Sequence, residues 1–272
     1  MINLSFNPIS LNTICASLTY AMGIEAPQNA NAPSEEFIGF LSKAFGGEKA
    51  DRIFMYNPDA IAQWVYEKYY SFTDAVREHT SFSLPLSCVM PSVTPVCFGT
   101  MYTGADPEIH GIQKYEKPVI KIDTIFDALI RAGKKPVILA ESKSSMSMIY
   151  LEKEMDYFIY DTIEEINEKA EELIKDDKYD FIAVYNGNYD SLMHKYGPEH
   201  EIPLGEFKAN VEAFDSFAKL IKENWTNHNT LIGFAMDHGC HEIDGESGSH
   251  GLYMEEDINI VHLYGAYPAE KN

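Results

Sequence analysis

The chain is poor in positive charge: 21 Lys and Arg stand against 42 Asp and Glu, a formal net charge of −21 over 272 residues. That balance argues against a protein that tracks nucleic-acid phosphates by counterion release, and it requires that any anionic substrate be drawn by something local, such as metal ions. Cysteine is also sparse. Cys15, Cys88, Cys97 and Cys240 lack C-x-x-C spacing, which argues against a disulfide framework or a cysteine-only zinc site and fits buried thiols in a reducing, cytoplasmic setting. The N-terminal ISLNTICASLTYAMGI has no preceding basic region and is interrupted by Asn and Thr. It reads as an amphipathic surface helix, not as a signal peptide or a membrane span. No repeat, low-complexity tract or Gly/Ser/Pro-rich linker divides the chain, so one domain over residues 1–272 is the simplest organisation.

What is present is a large apolar fraction, 45%, enough to bury a substantial core. Apolar runs of strand length recur at 52–56, 83–89, 136–140, 180–185, 230–236 and 258–264, with helical patterns between them. This alternation predicts an α/β fold, a three-layer α/β/α sandwich around a mainly parallel sheet. In IDTIFDALIRAGKK the apolar residues Ile122, Ile125, Phe126, Leu129 and Ile130 share one helix face and Gly133 ends it. TIEEINEKAEELIKDDK and LGEFKANVEAFDSFAKLIKEN repeat the pattern with solvated acidic faces. Residues 142–161 are the least regular part, an ordinary helix and loop or a small insertion beside the site.

In open α/β sheets ligands gather at the carboxyl ends of the strands, so the residues just after each apolar run matter most. The run 52–56 is followed by Asn57, Pro58 and Asp59. The run 180–185 leads to Asn186, Asn188, Asp190 and His194; a helix beginning near Asp190 would bring the D-x-x-x-H pair to one side, where both can grip a cation. Asp237 and His238 close the run 230–236, with Gly239 expected to permit a turn that aims both at one ion. His250 follows between small residues. The stretch 90–112, MPSVTPVCFGTMYTGADPEIHGI, places Ser92, Thr94, Thr100 and Thr103 where a strand hands over to a helix. Hydroxyls there can be caps or nucleophiles, and Thr94, before Pro95, stands where a helix N-terminus could help hold a phosphoryl group.

The order carboxylate, hydroxyl, D-x-x-x-H, D-H, H resembles the alkaline phosphatase superfamily, and within it the type I phosphodiesterase/nucleotide pyrophosphatase family. The family's TG-x-x-P-x-x-HGI is met by TGADPEIHGI, its D-x-x-G-H-x-x-GP by DSLMHKYGP with Met193 in place of the first Gly, its DHG by Asp237-His238-Gly239 and its late HG by His250-Gly251. The resemblance runs from about residue 52 to 252 and implies an alkaline phosphatase-like fold with two divalent metal ions, usually zinc, with manganese as the alternative. Asp190, His194 and His250 would hold one ion. Asp59, with Asn57 as the alternative, would join Asp237 and His238 at the other, beside Thr94. Thr94 keeps the family's spacing to Thr103-Gly104 and is the implied nucleophile, with Ser92 as the fallback. The family follows its threonine with x-P-N, whose Asn steadies a phosphate oxygen. Here the chain reads Thr94-Pro95-Val96-Cys97, so that donor is missing or comes from elsewhere, from Asn57, Asn186 or Asn188.

The chemistry accounts for such a set, because a threonine hydroxyl is too weak an acid to attack phosphorus at neutral pH without a cation beside it. The expected activity is hydrolysis of a phosphodiester or pyrophosphate bond in a small anionic phosphate-containing substrate. A phosphomonoesterase or phosphonate hydrolase on the same site, and a metal-binding protein of low turnover, are the alternatives.

Overall fold

The computed structural model describes residues 4–270. Among the described residues nine strands are formed: β1 Arg52–Pro58, β2 Phe82–Ser87, β3 Pro136–Glu141, β4 Asp156–Tyr160, β5 Phe181–Asn186, β6 Thr230–Ala235, β7 His241–Ile243, β8 Ser247–Ser249 and β9 Asn259–Tyr267. Seven make the main sheet in the order β2-β9-β6-β1-β5-β3-β4, while β7 and β8 form a separate hairpin. β9 is antiparallel to both of its neighbours, and the other pairings in the sheet are parallel. β2 therefore points the same way as β6, β1, β5, β3 and β4, and the carboxyl ends of six strands meet along one edge.

The central strands β1, β5 and β6 are largely apolar and almost wholly buried because both faces are covered. Successive β1 residues point to opposite sides. The Tyr56 hydroxyl donates to Asn210 in the Glu201–Asn224 helix, while Asn57 meets Met101 and Tyr102 of the Thr94–Thr103 helix. This is the three-layer architecture that the alternation predicts.

Two segments differ from expectation. The helix Ile14–Met22 is not on the surface: eight of its nine residues are buried, leaving Tyr20 exposed. Its hydroxyls bond back to its own turn, Ser17 to Thr13 O and Thr19 to Ala16 O, so they enter the interior without an unmet hydrogen bond. Residues 142–161 contain the Ser145–Ile149 helix and β4, an edge strand of the main sheet paired with β3.

A pair of glycines tests the packing. In β9, a Cβ on Gly265 would collide with the His79 carbonyl oxygen, whereas Gly205, exposed on the Glu201–Asn224 helix, has open space. Gly265→Ala is expected to lower stability by about 1–3 kcal/mol, and Gly205→Ala to raise it by about 0.5–1 kcal/mol. Urea denaturation midpoints check both signs.

Candidate metal centre

The strand edge gathers two groups of potential ligands. Asp59, Asp237 and His238 form one, and Asp190, His194 and His250 the other, with the ligand atoms of each group within 4.8 Å of one another. These are the two sets that the family resemblance implies. Asp59 follows β1, and Asp237 and His238 follow β6. Asp190 and His194 lie one turn apart on the Asn188–Tyr196 helix after β5, with Asp190 Oδ1 3.3 Å from His194 Nε2. His250 arrives from the β7–β8 hairpin, its Nε2 3.4 Å from Asp190 Oδ1, and its ring lies 4.1 Å from that of His238, joining the groups.

Gly239 has a different role from the one expected. Its φ is not positive; instead a Cβ would collide with the Glu256 carbonyl oxygen. The close approach of two backbones, not a left-handed turn, requires glycine here.

Each imidazole is oriented by a carbonyl. The Nδ1 of His194, His238 and His250 bonds Gly248 O at 3.0 Å, Gly239 O at 2.9 Å and Ser92 O at 2.9 Å. A carbonyl can only accept, so Nδ1 carries the hydrogen and each neutral ring turns the Nε2 lone pair inward. Two such lone pairs, on His194 and His250, face each other at 3.0 Å, an arrangement that needs a positive charge between them. Asp190 Oδ1 and Asp237 Oδ2 are buried without a hydrogen-bond donor. Inward lone pairs and orphaned carboxylate oxygens in both groups fit divalent cations of the zinc or manganese type.

The protonation energetics of the bare chain carry the same tension. Burial, and next the Asp190 charge, push Asp59 up to about 7, although the Tyr185 hydroxyl donates to it at 2.5 Å. Burial and then Asp59 drive Asp237 well above the carboxylate range, and burial and then His250 lower His238 to about 3. Burial also works against ionised Asp190, but in the bare chain His194 and His250, once protonated at Nε2, would donate to it and hold it below the usual range.

The hydroxyls of 90–112 divide by task. Thr94 Oγ1 lies inside the first group, 3.2 Å from Asp59 Oδ2 and 3.3 Å from His238 Nε2. Ser92 stands apart: its Oγ accepts from Gly251 N, and its carbonyl holds His250. Thr100 bonds His110, and Thr103 bonds Gly99 O and Ala105 N, so the TGADPEIHGI stretch braces the Thr94–Thr103 helix. Burial lowers His110 to about 4, so it packs there as a neutral ring.

The structure does not bring Asn57, Asn186 or Asn188 to the cluster. Asn57 is buried between Tyr102 and Ala235, Asn186 bonds Tyr56 and the Asn188 amide, and Asn188 bonds Glu206. None of them lines the adjoining cleft of about 190 Å³, whose walls include Asp59, Thr94, Asp190, Tyr115, Lys117, Lys143 and Tyr185. The last four escaped sequence reasoning. Tyr185 ends an apolar run and reads as core, and the others lie on connections without a motif.

No family model and no curated protein sequence matches the chain. Among solved structures it is similar to an inactive variant of murine ectonucleotide pyrophosphatase/phosphodiesterase 5 in complex with AMP, with 17% identity, TM-score 0.58, and coverage of 71% of this chain and 58% of that one. The human ectonucleotide pyrophosphatase/phosphodiesterase 5 gives 15% identity, TM-score 0.56, and coverage of 71% and 58%. Phosphonoacetate hydrolase from Sinorhizobium meliloti 1021 in complex with phosphonoformate gives 16%, 0.52, and 73% and 59%. The fold is alkaline phosphatase-like. The similar structures are of the nucleotide pyrophosphatase/phosphodiesterase and phosphonate hydrolase types, and the chain spans less than three fifths of their length.

Asn57 and Asp59, two residues apart, should respond oppositely to substitution in the metal-free protein. Asn57→Ala strips a partner from the Tyr102 hydroxyl and the Ala235 carbonyl and is expected to cost about 1–3 kcal/mol. Asp59→Asn keeps an acceptor for Tyr185 and removes a carboxylate that resists ionisation. Because the folded-state value lies above the ordinary one, the ionised group's penalty is absent below about pH 4, grows toward about 7 and is complete above it. Asp59→Asn should therefore be more stable than the native chain at pH 8 and no more stable at pH 4, as read by thermal unfolding in chelator.

Proposed function

We propose that the protein is a metal-dependent phosphohydrolase of the nucleotide pyrophosphatase/phosphodiesterase type, with Thr94 as nucleophile. The observation that carries this reading is the Thr94 hydroxyl within hydrogen-bond reach of two members of a ligand group, Asp59 and His238, at the start of a helix. Asp59, Asp237 and His238 would hold one ion beside Thr94, and Asp190, His194 and His250 the other. Bound zinc or manganese supplies the positive charge that makes the hydroxyl acidic and neutralises charge developing on phosphorus. The remaining work falls to the chain. Packing of the Thr94–Thr103 helix fixes the Thr94 rotamer, and Asp59 Oδ2 accepts from its hydroxyl. A bond then forms from Thr94 Oγ to phosphorus as the leaving-group oxygen departs, and water hydrolyses the phosphothreonine to restore the residue. The Tyr185 hydroxyl holds Asp59 in place from the cleft wall.

The cleft favours the second reading on the same site, a monoesterase or phosphonate hydrolase. About 190 Å³ is below the usual range of roughly 300–1,000 Å³ for ligand pockets. Lys117, whose Nζ reaches the Lys143 carbonyl, and Lys143 bring positive charge to its rim, which suits a compact anionic substrate. No helix among the described residues is long and apolar enough to cross a membrane.

Activity on bis(4-nitrophenyl) phosphate and 4-nitrophenyl phosphate, with and without zinc or manganese, separates the two readings. Elemental analysis is expected to find about two divalent ions per chain; none, with no gain in activity on adding metal, overturns the proposal. Thr94→Ala should lower kcat by about two to four orders of magnitude while retaining metal and fold, and Thr94→Ser should keep partial activity. A folded, metal-loaded Thr94→Ala protein with nearly full activity removes the covalent route.

A further inference from the structure

We propose that Asp257 is a positioning residue that ties the two histidine-bearing loops into one unit, so that a single buried carboxylate sets both ligand groups. The inference rests on the reading of those groups as a metal centre. Asp257 belongs to neither group and is wholly buried in the four-residue helix Glu255–Ile258. Its Oδ2 accepts from Leu252 N at 2.8 Å, two residues beyond His250. Its main-chain oxygen accepts from Gly239 N at 2.8 Å, one residue beyond His238. Its Oδ1 lies 2.7 Å from Nδ1 of His241, the first residue of β7.

That last contact roots the hairpin. β7 pairs with β8 in the register His241 to Ser249, and β8 supplies the Gly248 carbonyl that orients His194 before the chain runs into His250. The carboxylate thus holds backbone beneath all three imidazoles, His250 through Leu252, His194 through the hairpin, and His238 through His241 three residues on, while the Asp257 main-chain oxygen adds the bond to Gly239. Packing alone gives no reason for a carboxylate here, since an apolar side chain would fill the space without the desolvation penalty of a buried charge. What a carboxylate offers and a methyl group cannot is two acceptor oxygens aimed at two separate segments. Groups that orient metal ligands from behind commonly govern affinity by about 10–100-fold.

The test uses the full chain as native protein, Asp257→Ala, Asp257→Asn, and Ile174→Ala as a control. Ile174 is buried in the Ile163–Asp176 helix, which contributes no group to the centre. Zinc affinity is read by competition with a chromophoric chelator, coordination by the visible spectrum of the cobalt(II) form, and loop order by amide hydrogen exchange of the metal-free proteins. Asp257→Ala is expected to weaken zinc binding at both groups by about 10–100-fold and to alter the cobalt spectrum. It should also speed exchange in segments 237–241 and 249–253 together, beyond any change in Ile174→Ala of comparable thermal stability. Asp257→Asn should recover most of the affinity, because its oxygen can accept from Leu252 N while its amide donates to neutral His241 Nδ1. Native-like affinity and spectrum in Asp257→Ala, a loss confined to one group, or a loss no larger than in the control overturns the inference. If the native protein binds no zinc, the metal reading falls and exchange alone decides: joint loosening of both segments upholds the clamp, and loosening of one or neither overturns it.

Discussion

Three carboxylates, Asp59, Asp190 and Asp237, converge with three imidazoles at one sheet edge, and they cannot all be ionised there without added positive charge. Much of the local structure serves that conflict. Carbonyl oxygens behind His194, His238 and His250 turn every Nε2 inward, and the orphaned oxygens of Asp190 and Asp237 face the same interior. Such an arrangement lowers the stability of the bare chain and makes sense as a site prepared for cations, the familiar exchange of stability for function. It also answers the question raised by a net charge of −21. On the proposed metal reading, the attraction for an anion is concentrated at one point and does not have to come from the surface at large.

The parallel arrangement of strands makes the convergence possible. Because β2, β6, β1, β5, β3 and β4 point one way, the segments that leave them turn over a single edge, and residues from 59 to 250 meet there. β9, running the other way between β2 and β6, lets β2 deliver the Ser92–Thr94 corner to that edge. The corner then separates its hydroxyls. Thr100 and Thr103 brace the helix, Ser92 holds the His250 loop, and Thr94 alone reaches a ligand group.

Strands buried on both faces were legible because they read as continuous apolar runs, and all six runs lie in the main sheet. β4, Asp156–Tyr160, was not, because it is a five-residue edge strand with no fully buried position, set in a segment without clear periodicity. The hairpin of β7 and β8 is short and polar, and its pairing is defined by packing on the Asn188–Tyr196 helix. The burial of Ile14–Met22 was hidden for another reason: its Ser and Thr look solvated until their bonds to the helix's own carbonyls are seen.

The sequence by itself determined the fold class and the two sets of potential ligands, since apolar periodicity and the motifs that follow each strand are local properties of the chain. Only the tertiary structure decided what each polar residue faces. Asn57 and Asp59 share a strand end, yet one is enclosed by Tyr102 and Ala235 while the other meets Thr94 and Tyr185. Tyr185 gains its place beside the site from Asp59, a contact between residues 126 apart in the chain, and no local pattern encodes it; Lys117, Lys143 and Asp257 lie on connections whose path only the fold sets.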